Sequence, residues 1–222
     1  MYLVLFISIA ILSWAVSGLF NRRFKEYSKV YLPMTGREVA EKMLRDHGIT
    51  DVKVIATQGN LTDHYDPRNK TVNLSQSVYN SNSVAAAAVA AHECGHALQH
   101  AFAYAPLKFR SALVPVVNIA SRWLTWILLG GILMIEIFPQ LLLAGIILYG
   151  LTTLFAFITL PVEINASTRA IAWLEQAGIT DRQTTPMASA ALRSAAYTYV
   201  VAALSSLGTL VYYIMIFIGH RD

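Results

Sequence analysis

Residues 123–138, WLTWILLGGILMIEIF, and 141–162, LLLAGIILYGLTTLFAFITLPV, are two apolar blocks separated only by Pro139 and Gln140. An apolar stretch of about 18 residues or more is long enough to cross ~30 Å of hydrocarbon as a helix, so the pair predicts two spanning helices joined by a tight hairpin. The first block is short. The apolar residues from Ala112 to Ala120 extend it, with Pro115 bending the helix and Arg122 snorkelling to the interface, which gives a predicted span of 112–138.

The pattern recurs at both ends of the chain. Tyr2 to Phe20 is uncharged and lacks the basic start and small-residue cleavage site of a signal peptide, so a retained anchor is expected. Ala195 to Ile218 is a fourth block. At 222 residues, 55% hydrophobic and 14% charged, the chain holds more apolar surface than one soluble domain of this size can bury. The expected fold is a mostly α membrane protein in one membrane-embedded domain over 1–222. It has four transmembrane helices, at 2–20, 112–138, 141–162 and 195–218, and a small α+β cytoplasmic element.

Four spans alternate in direction. With the first running inwards, residues 21–122 carry 13 of the 17 Lys and Arg and residues 163–193 carry three more, which leaves Arg221 outside. That asymmetry predicts a multi-pass protein of the cell membrane whose working parts, 21–110 and 163–193, are cytoplasmic. No Lys/Arg-rich run with interleaved aromatics suggests nucleic acid, and the single Cys94 excludes an intrachain disulfide.

Within the polar region, Thr35-Gly36-Arg37-Glu38 is a capping-box pattern that starts a helix ending near His47-Gly48. Val52 to Ile55 reads as a strand, and two more flank the turn Asp66 to Lys70, the second being Thr71-Val72-Asn73-Leu74. Ser83 is an N-cap for an Ala-rich helix from Val84 to about Phe102.

On that helix lies His92-Glu93-Cys94-Gly95-His96, an uninterrupted H-E-x-x-H. Residues four apart share a helix face, so His92 and His96 can bind one Zn²⁺ while Glu93 reaches a water whose pKa zinc lowers towards ~7. The bland alternative is a chance pattern on an Ala-rich helix. Against it, three polar groups in a run flanked by Ala85 to Ala91 and Ala97-Leu98 would be costly to bury without a metal or partners.

Zinc needs a third protein ligand. His100 is eight residues from His92, a rise of ~12 Å, too far for one ion. Gln99 and Phe102 stand where a metzincin requires Gly and His. Glu163 emerges on the side of the histidines, just after Pro161, where proline is expected at a helix start, whereas Glu136 falls on the opposite side; Glu175 and Asp181 share the side of Glu163 and stay open. An interfacial Glu163 paired with Arg169 is the structural alternative. His47 and His64 read as surface or turn histidines, and Cys94 as a packing residue.

These residues resemble the YugP-type neutral zinc metallopeptidases, bacterial membrane proteins, and more distantly the HtpX-like membrane proteases. The resemblance runs from the anchor through Val72-Asn73-Leu74-Ser75 and Ala91 to Ala97 to Leu160-Pro161-Val162-Glu163-Ile164-Asn165-Ala166-Ser167. The HtpX-like third ligand lies in E-x-x-A-D, which maps onto Glu163 with Ala166 retained and Ser167 in place of the aspartate. The resemblance therefore implies that another group orients His92 or His96, with Asn165 and Arg169 as candidates.

The combined expectation is a membrane-integrated zinc endopeptidase with Glu93 as base and His92, His96 and Glu163 as ligands. Its partners would be membrane-protein or peptide substrates and the lipid bilayer, with no nucleic acid. The strand holding Val72, Asn73 and Leu74 is expected to offer an edge to an extended substrate. A zinc-stabilised scaffold that cleaves nothing would keep the ligands but need no base.

Overall fold

Helices α1 (Tyr2–Tyr27), α5 (Ala105–Leu133), α6 (Pro139–Gln176) and α7 (Thr184–Gly219) are each long and apolar enough to cross a membrane. The computed structural model describes residues 2–220; Met1, Arg221 and Asp222 lie outside the described residues, and so does the predicted outer position of Arg221. Between α1 and α5 lie α2 (Gly36–Asp46), β1 (Lys53–Thr57), β2 (His64–Asp66), β3 (Thr71–Ser75), α3 (Gln76–Tyr79) and α4 (Val84–Ala101). This is the mostly helical architecture with a small strand-containing element that the sequence predicts.

Helix length explains how one set of helices serves two purposes. At 1.5 Å per residue, the 38 residues of α6 span ~57 Å and the 36 of α7 ~54 Å, well beyond ~30 Å of hydrocarbon. The surplus turns pack with the polar element: Ala170, Trp173 and Leu174 of α6 and Ala188 and Leu192 of α7 join the core formed with α2, β3 and α4. At the other end, Leu128, Leu142 and Ile146 form a separate small cluster. Around it large side chains face outwards, Trp126 at 69% and Ile137 at 82% exposure, as lipid contact requires.

Boundaries differ from the sequence reading in ways that matter. The α5–α6 turn begins at Met134, and Pro139 is the first residue of α6, where its missing N–H costs nothing. Pro161 was expected at a helix start, yet it lies inside α6, which continues unbroken through Glu163. An interior proline costs about 3 kcal/mol or more. Packing of α6 against α4, α5 and α7 offsets that cost.

The polar element follows its local signals. Thr35 and Glu38 form the capping box, with the Thr35 amide donating to Glu38 Oε2 at 2.7 Å and the Glu38 amide to Thr35 Oγ1 at 3.3 Å. The Ser83 side chain accepts from the Ala86 amide at 3.3 Å and starts α4. The sheet order is β1-β3-β2, with β1 parallel and β2 antiparallel to β3.

That order overturns the edge expected at Val72, Asn73 and Leu74. The hairpin through Asp66 to Lys70 lays β2 along one side of β3, and β1 pairs along the other, so β3 is central. Val72 and Leu74 are fully buried, and Asn73 Nδ2 donates to the Thr71 and His64 carbonyls. Neither side of residues 71–73 has backbone groups left for a substrate.

Candidate metal centre

Helix α4 is apolar around most of its circumference, and 13 of its 18 residues are buried. A helix of that kind belongs inside a structure. Its alanines let α2, α6 and α7 approach closely, and at Gly95 the approach leaves no space: a Cβ there would lie 2.7 Å from the Ala166 carbonyl oxygen of α6. This contact sets the H-E-x-x-H turn directly against the Glu163 turn.

The consequence is a convergence of His92, His96 and Glu163, one ligand atom of each lying within 4.8 Å of the others. Glu163 Oε2 is 3.2 Å from His92 Nε2 and 3.5 Å from His96 Nε2. Tetrahedral zinc with ligand distances of ~2.1 Å would set its ligand atoms ~3.4 Å apart, which these separations bracket.

Protons decide whether the group is an ion pair or a metal cage. Arg169 can only donate, and its Nε does so to Asn165 Oδ1 at 2.8 Å. Gln99 Nε2 donates to that same oxygen at 3.0 Å and to the Val162 carbonyl at 2.7 Å, which turns Gln99 Oε1 towards His96 Nδ1 at 3.0 Å. The network therefore assigns the proton of neutral His96 to Nδ1 and leaves Nε2 as a bare lone pair. His92 Nδ1 lies 3.1 Å from Ser167 Oγ, which can accept its proton in the same way.

Two lone pairs then face Glu163 Oε2, a buried carboxylate oxygen with no hydrogen-bond partner among the described residues. Three acceptors around one point need a cation between them. Without a metal only a proton can serve, and the His96 pKa is shifted accordingly: burial would lower it, but the hydrogen bond and charge of Glu163, aided by Glu93, raise it above the ordinary value. The residues present fit a zinc ion on this chemistry.

Ser167 was expected to leave the imidazole orientation to another group, yet its hydroxyl is within hydrogen-bond reach of His92. Asn165 and Arg169 act on His96 only through Gln99. The role of Gln99 was missed, although a residue three positions after His96 shares its helix face, a signal present in the sequence. Glu175 lines a different cavity, Asp181 accepts from the Thr184 amide at the start of α7 at 2.8 Å, and Glu136 lies 3.4 Å from His220.

The other histidines stand apart from the group. His47 Nδ1 donates back to the Met43 carbonyl at the end of α2, and His64 Nδ1 to the Thr62 carbonyl. His100 lies on the exposed end of α4, its Nδ1 3.3 Å from the Tyr65 hydroxyl. Cys94 is buried with Sγ 3.6 Å from the Ala40 carbonyl, and burial pushes its thiol pKa well above the usual range.

Glu93 is 8% exposed and borders two cavities that meet at the ligand group, together with His92, Glu163, Asp63 and Tyr199. Nothing local in sequence brings Asp63 or Tyr199 here. Asp63 sits on the loop before β2, and Tyr199 on α7, a helix away from Glu163.

Comparison with known proteins agrees with this chemistry. The chain is 42% identical over 224 aligned residues to a Bacillus subtilis (strain 168) protein described as "Putative membrane protease YugP", covering 99% of each chain. No solved structure matches it. The family described as "Putative neutral zinc metallopeptidase" matches residues 2–218, so a chain whose buried carboxylate and two imidazoles call for a cation belongs to that zinc metallopeptidase family.

Proposed function

We propose that this protein is a membrane-integrated zinc endopeptidase in which His92, His96 and Glu163 hold the metal and Glu93 is the general base. The observation that carries the reading is the orphaned Glu163 Oε2 facing two imidazole nitrogens whose partner nitrogens are occupied. Zinc supplies Lewis acidity that activates a water and polarises a carbonyl. Glu93 takes a proton as the water oxygen bonds to the carbonyl carbon, then delivers it to the amide nitrogen as the C–N bond breaks. Gln99 and Ser167 hold the imidazoles in the metal-binding tautomer.

With β3 closed on both sides, the free strand edge beside the site is that of β2, whose His64 and Tyr65 line one of the two cavities. An extended substrate pairs its backbone there. Folded proteins would have to unfold, commonly at ~5 to 15 kcal/mol. The preferred substrates are therefore unstructured segments near the inner membrane surface, above all those tethered to it, which also arrive at high effective concentration.

The deciding experiment is metal analysis and casein cleavage by purified wild type beside single variants. Glu93→Gln keeps stoichiometric zinc and loses ~10²- to 10⁴-fold in rate, while His92→Ala, His96→Ala and Glu163→Ala lose the metal. Full activity in Glu93→Gln would sink the assignment. The cytoplasmic side is read by impermeant thiol labelling in intact cells: Gln140→Cys labels and Asn69→Cys does not. Buried Cys94 adds no background.

A further inference from the structure

The cleft in front of the ligand group has two halves of opposite chemistry. One, a cavity of about 190 Å³, is walled by Phe20, Phe24, Leu61, Val89 and Leu192. The other, about 240 Å³, is lined by His64, Tyr65, His100, Arg110 and Ser111. His92, Glu93 and Glu163 border both, so the reacting centre lies at the seam. Each half is below the ~300–1,000 Å³ of small-molecule sites, a size suited to one or two side chains on either side of a bond.

Arg110 gives the polar half its character. Its Nε donates to Thr159 Oγ1 at 3.3 Å and its guanidinium lies 5.6 Å from the centre of the Phe155 ring, contacts that hold the group in place without neutralising it. Among the described residues, no carboxylate forms an ion pair with it. Of the acids nearby, two are already engaged and the third is the proposed base. Asp63 accepts from the Ser75 amide at 2.7 Å and from the Ser75 hydroxyl, Glu163 belongs to the ligand group, and Glu93 stands at the seam. A half-buried, positioned guanidinium without a counter-ion is a receptor for a carboxylate.

We propose that this site selects peptide bonds with an apolar side chain on one side, seated among Phe20, Phe24 and Leu61, and a carboxylate on the other, held by Arg110. The inference rests on the peptidase reading. The carboxylate comes from an acidic side chain or from the free C-terminus of the substrate, which share this chemistry.

The test uses full-length, zinc-loaded protein in detergent and quenched fluorogenic peptides carrying Glu, Gln or Lys on one side of a Leu-containing bond, each with a free or amidated C-terminus. Wild type prefers Glu over Gln, or free acid over amide, by about tenfold or more in kcat/KM, expressed mainly in KM; which pair differs identifies the source. Arg110→Gln removes the preference, Arg110→Lys retains part of it, and Arg110→Glu turns it towards Lys. Leu61→Asn lowers the preference for Leu over Ser without changing the carboxylate preference. The same peptides are titrated by anisotropy onto zinc-loaded Glu93→Gln protein, which reads recognition without turnover. Absence of cleavage by wild type would remove the peptidase reading while binding still reported the preference. Equal handling of Glu, Gln and Lys and of acid and amide by wild type, or an unchanged order in Arg110→Glu, would overturn the proposal.

Discussion

Helices α4 and α1 are both strongly apolar, yet they occupy opposite environments. Thirteen of the 18 residues of α4 are buried, whereas in α1 none of the most apolar window is buried inside the protein. Side-chain size separates them. α4 is built on Ala and Gly, so neighbouring backbones come close enough to bring His92, His96 and Glu163 together; α1 presents Ile11, Leu12 and Trp14 outwards, where lipid can cover them. In a membrane protein small residues mark helix contacts, while bulky ones mark the bilayer.

A single methyl group applied to each helix should expose this difference most strongly. Gly95→Ala forces its Cβ onto the Ala166 carbonyl of α6, and overpacking of this kind costs about 1–3 kcal/mol. Because the same contact sets the spacing of His96 and Glu163, zinc affinity falls with it. Thermal unfolding in micelles, read beside zinc stoichiometry, measures both. Unchanged zinc content and midpoint would mean that α4 and α6 are not locked at this point.

The network around the ligands comes next in expected size. Gln99→Leu removes the acceptor that holds the His96 proton on Nδ1 and leaves Asn165 and the Val162 carbonyl without a donor from residue 99, so zinc affinity drops about 10–100-fold. Competition with a chromogenic chelator reads the constant. Ser167→Ala removes one neutral hydroxyl partner of His92 and falls near the lower end of that range, while Ser167→Asp retains or exceeds wild-type affinity. A larger loss for Ser167→Ala than for Gln99→Leu would reverse the ranking drawn from the number of contacts.

A smaller effect follows from protonation. Zinc binds neutral imidazoles, and the metal-free His96 pKa is raised, so protons compete with the metal from above the ordinary histidine value of ~6.5. Zinc affinity therefore holds at alkaline pH and declines as pH falls through and below neutrality. A pH titration of zinc binding that stays flat to about pH 5 would contradict the proton assignment.

The smallest effect belongs to α1. An added Cβ at Gly18 meets nothing within 4 Å, so Gly18→Ala leaves zinc content unchanged and stabilises its helix by at most ~1 kcal/mol. A zinc defect in this variant would show that α1 bears on the site more directly than its packing suggests.

Local and periodic features were legible in the chain alone. The capping box at Thr35, the cap at Ser83, the four long apolar segments and the pairing of His92 with His96 depend on residues a few positions apart or on unbroken hydropathy. Glu163 could be ranked by side of the membrane, but its approach to His92 depends on α6 staying helical through Pro161, which local proline chemistry argued against. Ser167 was visible as a departure from a pattern, and only geometry reveals its hydroxyl beside His92.

The sequence by itself determined the helices, the membrane-spanning character and the two imidazoles on one helix face, because i,i+4 spacing and apolar length are properties of a single segment. Tertiary structure alone decided the pairing of β3 on both sides, the meeting of Glu163 with the histidines, the proton-fixing chain from Arg169 to His96, and the place of Arg110 beside the site. Each joins residues distant along the chain, and their partnership follows from the contact of α4 with α6 at Gly95 and from helices long enough to leave the bilayer, not from any local preference.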